Sequence, residues 1–183
     1  FGDDVTETYW NHLWLSEGFA SYFGWQYFEY ADGPDRFISL LKQGRERLLS
    51  REEWLDRPIV EDVPKNLFKL LNVNNYAKGG WVLHMLRGQL GDATFWQAIR
   101  AYYQTFQGGN ALTADLQRIC EEQSGEDLGW FFQQWVFEGG VPDLKTSWSW
   151  DAAKNEVVLR VQQRQKNLKK FPLQFRIDHD TVE

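Results

Sequence analysis

Up to about residue 140, apolar positions recur every three or four residues, and beyond Pro142 they alternate with polar ones. That change of period predicts a helical region followed by strands. Residues 3–11 read as an approach loop and 12–31 as a first helix. Asp32-Gly33-Pro34 stops it and starts a second helix over 34–50, with Pro34 suited to the first turn and a stripe of Phe37, Leu40, Leu41 and Leu48. The charged stretch 51–64, with Pro58 and Pro64, is expected to be irregular surface, followed by a short helical turn over 66–71 and a loop over 72–75 ending at Tyr76. A helix over 78–90 repeats Val82, Leu83, Leu86 and Leu90; the next, capped by Asp92, repeats Phe95, Ile99, Tyr102 and Phe106. Thr113 is expected to cap a helix carrying Leu116, Ile119 and Cys120 that closes near Gly125. Asp127 opens a last one, with Leu128, Phe131, Phe132 and Trp135 inward and Gly139-Gly140 as its stop. Leu144, Thr146, Trp148 and Trp150 then mark one strand, Val157, Leu159 and Val161 its return, and Phe171, Leu173, Phe175 and Ile177 a third.

The predicted class is therefore mainly α (α+β), with a helical domain over 1–140 and antiparallel strands over 141–183. At 183 residues, 43% hydrophobic and 16% aromatic, the chain has material for one large domain or one and a half smaller ones. Net charge of −6 argues against nucleic acid as a partner, because phosphates call for a basic face. No apolar run is long enough to span a membrane. Cys120 is the only cysteine, so neither an internal disulfide nor a cysteine zinc site can form, and it is expected to pack as a small apolar side chain.

Two stretches carry chemistry. In Trp14-Leu15-Ser16-Glu17-Gly18-Phe19-Ala20 a single carboxylate sits among apolar residues. Counted along a helix from Glu17, the same face holds Ala20, Ser21 and Gly24, small enough for another backbone to come close. On spacing alone, Glu17 is a half-exposed acid favoured by a helix start or a carboxylate with a cation or metal beside it. In Asn75-Tyr76-Ala77-Lys78-Gly79-Gly80, Tyr76 reads either as a hydrophobic staple or as a phenol held protonated, ready to donate to a developing negative charge.

Phe1-Gly2-Asp3, Trp10-Asn11 and Trp14-Leu15-Ser16-Glu17-Gly18-Phe19-Ala20 together resemble the zinc-ligand region of the M1 (gluzincin) aminopeptidases. In that family Trp-Leu-x-Glu-Gly-Phe-Ala follows His-Glu-x-x-His-x-Trp-Phe-Gly-Asn/Asp, whose last letters match Phe1-Gly2-Asp3. Tyr76-Ala77-Lys78-Gly79 resembles the family's Tyr-x-Lys-Gly signature. Met85-Leu86 to Leu90-Gly91, Gly109-Asn110-Ala111 with Thr113-Ala114-Asp115-Leu116, and the stretch from Trp135 to Pro142 follow its later pattern. The resemblance implies the C-terminal helical part of a thermolysin-like zincin catalytic domain, followed by the start of a small β-sandwich. It implies Glu17 as the third Zn²⁺ ligand and Tyr76 as the oxyanion donor in hydrolysis of N-terminal peptide bonds. Peptide is the implied substrate, and substrate-binding residues are not assigned. In the family's register the two histidines and the general base fall upstream of Phe1, so the chain reads as a fragment, inactive alone and prone to self-association through the face that the upstream half would cover.

Other residues carry weaker signals. His12 is expected to bond a backbone carbonyl rather than zinc; His84 reads as a packing or surface residue, and His179 lies near the chain end. Trp10 and Trp14 flank the acid and read chiefly as core residues, whereas Asp3 and Asn11 are candidates to orient metal ligands. The competing functional class is a non-catalytic helical module whose aromatic surface binds a protein partner. Ten tryptophans also admit a carbohydrate-binding surface.

Overall fold

A computed structural model describes residues 1–173 and 175. The chain forms two compact units, Phe1–Gly140 and Val141–Glu183. The first is almost wholly helical. Its elements are β1 (Val5–Glu7), a 3-10 turn (Trp10–His12), α1 (Trp14–Asp32), α2 (Pro34–Leu49), α3 (Glu52–Leu55), a 3-10 turn (Leu67–Leu70), a π turn (Asn74–Lys78), α4 (Gly79–Leu90), α5 (Asp92–Phe106), β2 (Gly109–Ala111), α6 (Thr113–Ser124), α7 (Gly129–Phe132) and a second π turn (Gln133–Phe137).

Helix α1 is apolar nearly all round, and it is the element on which α2, α4 and the first π turn pack. Trp14, Leu15, Phe19 and Tyr22 are fully buried along it. Phe1 stacks on Phe19 with centroids 4.5 Å apart, and Phe19 on Tyr102 at 5.9 Å, so aromatic rings fill the space between α1 and α5. The ring of Trp25 lies over Gly44 of α2 and Gly80 of α4, where a Cβ would meet it at 2.9 Å in either case. Arg87 links three helices: it chelates Asp92 at 2.7 and 2.9 Å, reaches Glu29 at 3.7 Å and lies over Trp96. Cys120 is buried, and burial pushes its thiol up to about 12.

Local differences from the sequence reading have local causes. Gly91, at φ 76°, takes the cap position before α5, so the Asp92 carboxylate is free to bind Arg87. Asp115 accepts from the Leu112 amide at 2.8 Å and caps α6, leaving the Thr113 hydroxyl to other partners. Asp127 does open the last helix, accepting from the Gly129 amide at 2.9 Å. Within 51–64 the short helix α3 forms, and 74–78 is a π turn continuous with α4 rather than a loop. The parallel pair β1–β2, in register Val5↔Gly109 to Glu7↔Ala111, is too short to show alternation.

In the second unit β3 (Leu144–Asp151) and β4 (Glu156–Gln163) form an antiparallel hairpin, in register Leu144↔Gln163 to Asp151↔Glu156. Asn155, at φ 54°, makes its turn. Phe171, Leu173 and Phe175 are not in a strand, and Ile177 and His179 lie outside the described residues.

Candidate active site

Two helices touch backbone to backbone at one point, and the candidate site is built there. A Cβ on Gly79 would lie 3.0 Å from Gly18 Cα, and one on Gly18 would lie 3.1 Å from Gly79 Cα. Only glycine on both helices permits so close a crossing of α1 and α4. Glu17 immediately precedes one glycine, and Tyr76 lies about one turn before the other. The crossing therefore brings carboxylate and phenol together, close enough for Glu17 to act on the Tyr76 phenol. Burial first, then the hydrogen bond to Glu17 and its charge, push the Tyr76 phenol up to about 12. At neutral pH the ring keeps its proton and is a donor.

The face of α1 that meets α4 is rotated from the one that spacing pointed to. Ala20 and Gly24 are exposed, and a Cβ on Gly24 would meet nothing within 4 Å. Gly18, Ser21 and Trp25 make the contact instead. The reason is that α4 reaches α1 in its first turn, where the backbone itself is the partner.

Tyr76 is held from below by the π turn. Asn72 Oδ1 accepts from the Asn74 amide at 2.9 Å and from the Asn75 amide at 3.3 Å, which caps the turn. Asn74 Nδ2 donates to the carbonyls of Trp54 at 3.0 Å and Arg57 at 3.2 Å, and buried Lys78 donates through Nζ to the Arg57 carbonyl at 3.1 Å. Asn75 Nδ2 donates to Leu70 O at 2.8 Å. The side chains on either side of Tyr76 thus satisfy carbonyls of the irregular stretch 54–58 and of the turn before it. Nothing in the residue spacing identifies Asn74 and Lys78 as clamps. The only cue is a cluster of polar residues just before a helix that proves to be buried.

A second cluster underlies the start of α1. Thr113 Oγ1 accepts from Trp14 Nε1 at 2.9 Å and pairs with His12 Nδ1 at 2.8 Å, and the Thr113 amide also points at His12 Nδ1 at 3.3 Å. His12 thus bonds a hydroxyl and an amide rather than the expected carbonyl, and the proton of the neutral ring is on Nε2. Burial lowers its pKa against the opposing pull of Glu7. Trp14 is core, whereas Trp10 is 56% exposed. Asp3 is exposed and Asn11 half-buried. The acids that tie down this region are Asp4, which accepts from the Tyr103 hydroxyl, and Glu7, which accepts from Ser16. His84 packs among Tyr22, Phe37 and Trp81.

A carboxylate suits zinc, but a catalytic zinc takes three protein ligands. Among the described residues no group of three His, Cys, Asp or Glu side chains converges as a metal would need. Glu17 can therefore supply one donor of such a set, and this chain's described residues do not complete it. With Tyr76 beside it, the pair presents one anionic and one proton-donating group.

The sequence model of the Peptidase family M1 domain matches residues 1–135. Puromycin-sensitive aminopeptidase of Caenorhabditis elegans is 34% identical over 171 residues, covering 90% of this chain and 18% of that protein. Aminopeptidase N of Streptomyces lividans is 31% identical over 158 residues, covering 83% of this chain and 18% of that protein. The chain thus spans under a fifth of the length of these relatives. Among solved structures, a variant of the M1 zinc metallopeptidase of Deinococcus radiodurans bound to a Tyr-Ser-Ala substrate superposes with TM-score 0.64 at 29% identity, covering 78% of this chain and 31% of that one. Aminopeptidase A of Legionella pneumophila shares the fold at TM-score 0.72 and 21% identity, covering 88% of this chain and 18% of that one.

Proposed function

The chain belongs to peptidase family M1, and from that premise we propose that it is part of a zinc aminopeptidase in which Glu17 is a metal ligand and Tyr76 the donor to the oxyanion. In this reading residues 1–140 are the helical part of the catalytic domain and 141–183 the start of a β-sandwich. The other two zinc ligands and the general base come from elsewhere in the protein, so the 183 residues alone bind no catalytic zinc and turn over no peptide. Zinc, when bound, polarises a scissile carbonyl and lowers the pKa of a water.

The observation that carries the reading is the Gly18–Gly79 crossing, which sets two residues far apart in sequence, Glu17 and Tyr76, beside one another. A phenol has one proton to give. With the substrate absent a carboxylate lies beside it, and burial together with that negative charge raises the phenol further above the neutral range, so the proton stays on the ring. When negative charge develops on a substrate oxygen beside the pair, the same proton turns to it. The Asn74 and Lys78 clamps fix the turn that carries the ring, so little reorganisation is needed at that moment.

Replacing Tyr76 by Phe in the full-length protein tests this. It keeps the ring, removes the hydroxyl, and is expected to lower kcat by about 10²–10³ with KM little changed and zinc content unaltered. Glu17→Ala is expected to lose zinc and activity together. Retention by Tyr76→Phe of more than about a third of wild-type kcat, under about 1 kcal/mol, would remove Tyr76 from the chemistry.

A further inference from the structure

A groove of about 690 Å³ runs from Tyr76 between the end of α2, helix α3 and the 3-10 turn at Leu67–Leu70. That volume lies in the range of sites that hold small ligands. Its walls are of two kinds. Trp54 and Phe68 give apolar surface, and Arg47, Arg51 and Lys69 give three cationic side chains. No acidic residue lines it. All three cations are exposed, and among the described residues none of them has an ion-pair partner. The neighbouring Arg57 differs: it is spent on Glu61 and on the face of Trp54, 4.4 Å from the ring centroid.

This local excess of positive charge is set in a protein of net charge −6. Elsewhere on the first unit, Arg87 sits beside Asp92 and Arg118 beside Glu122, whereas Arg36, Arg45 and Arg100 stand singly on helix surfaces with no ion pair among the described residues. Three cations converging on one groove, with no acid among its lining residues, repel one another until an anion joins them. We propose that this groove seats the carboxylate-bearing part of a peptide substrate, beside the bond held at Tyr76.

The inference rests on the peptidase reading of Tyr76, and it adds a preference for peptides that carry a carboxylate beyond the first bond. Trp54 and Phe68 suit the apolar portions of a peptide, which a bare inorganic anion does not have. Two sources of the carboxylate share this chemistry: an acidic side chain and the free C-terminus.

The test uses the full-length protein and a set of short peptides of one length. One is amidated at its C-terminus and carries Glu at the positions after the first bond; its match has Gln there; a third has Gln and a free C-terminus. Binding is read at equilibrium by calorimetry, and turnover by product release. The Glu peptide, the free-carboxylate peptide, or both should bind and turn over roughly fivefold to tenfold better than the amidated Gln peptide at low salt, and the advantage should shrink as salt rises. Which of the two gains identifies the source. The triple change Arg47→Gln, Arg51→Gln and Lys69→Gln should bring the ratio close to one, and Arg47→Lys with Arg51→Lys should keep most of it. Lys145→Gln on the hairpin is the control for net charge and should leave the ratio as it is. Equal affinity for all three peptides in the wild type, or a ratio that survives the triple change, overturns the proposal. If none of the peptides is cleaved, the peptidase reading fails, while the binding ratio still reports on the groove.

Discussion

Trp14 and Trp148 belong to regions whose hydrophobic spacing is equally clear, yet Trp14 is fully buried and Trp148 is 73% exposed. In the first unit the stripes that form the core find a second layer, α1 lying against α4, α2 and the first π turn and α5 against α6, while Tyr27 and Tyr30 at the end of α1 stay exposed. In the second, β3 and β4 pair over eight residues each, and Trp148, Trp150, Val157 and Leu159 remain exposed. Hydrogen-bonded register is complete in the hairpin; burial is not. Periodicity specifies which side of an element is apolar, and only another element converts that side into stability.

Three substitutions probe this contrast by chemical denaturation. Gly79→Val is expected to cost most, about 3 kcal/mol, because its Cβ alone would stand 3.0 Å from Gly18 Cα and neither backbone can step aside cheaply. A loss under about 1 kcal/mol would mean that α1 and α4 do not depend on this crossing. Trp14→Phe removes the indole N–H that reaches Thr113 and part of a buried ring, and should cost about 1–3 kcal/mol. Trp148→Thr changes an exposed ring for a good strand former and should stay within about 0.5 kcal/mol. Equal losses for the two tryptophan variants would erase the distinction between the units.

Helices were legible wherever the apolar repeat ran for three turns or more, as in α2 with Phe37, Leu41 and Leu48 and in α5 with Phe95, Ile99 and Tyr102. Glu17 and Tyr76 stood out because Trp14-Leu15-Ser16-Glu17-Gly18-Phe19-Ala20 and Tyr76-Ala77-Lys78-Gly79 resemble motifs of the M1 aminopeptidases; local spacing alone left both open to a purely structural role. Their mutual contact was not legible, since it depends on where two helices cross. The crossing is set by Gly18 and Gly79, whose role is the space they leave. Thr113 was read as a cap, but its hydroxyl serves Trp14 and His12, partners from a distant part of the chain. A side chain's partner in sequence can be guessed from local rules; its partner across the core cannot.

The π turn at Asn74–Lys78 also constrains how the chain can change length. Such a turn carries one residue more than a regular α-helix needs. Losing that residue lets the helix close regularly, but everything before the gap is turned by about 100° around the axis. Upstream, between α3 and the 3-10 turn, residues can be gained or lost in an irregular segment without moving Tyr76 on its helix. Between Tyr76 and Gly79 no such freedom exists, because the same count of residues sets both the helix crossing and the direction of the phenol. An alignment gap placed there would therefore be an error in chemistry even where the helices still overlay, and the short segment Tyr76-Ala77-Lys78-Gly79 is better treated as a fixed ruler than as a motif of letters.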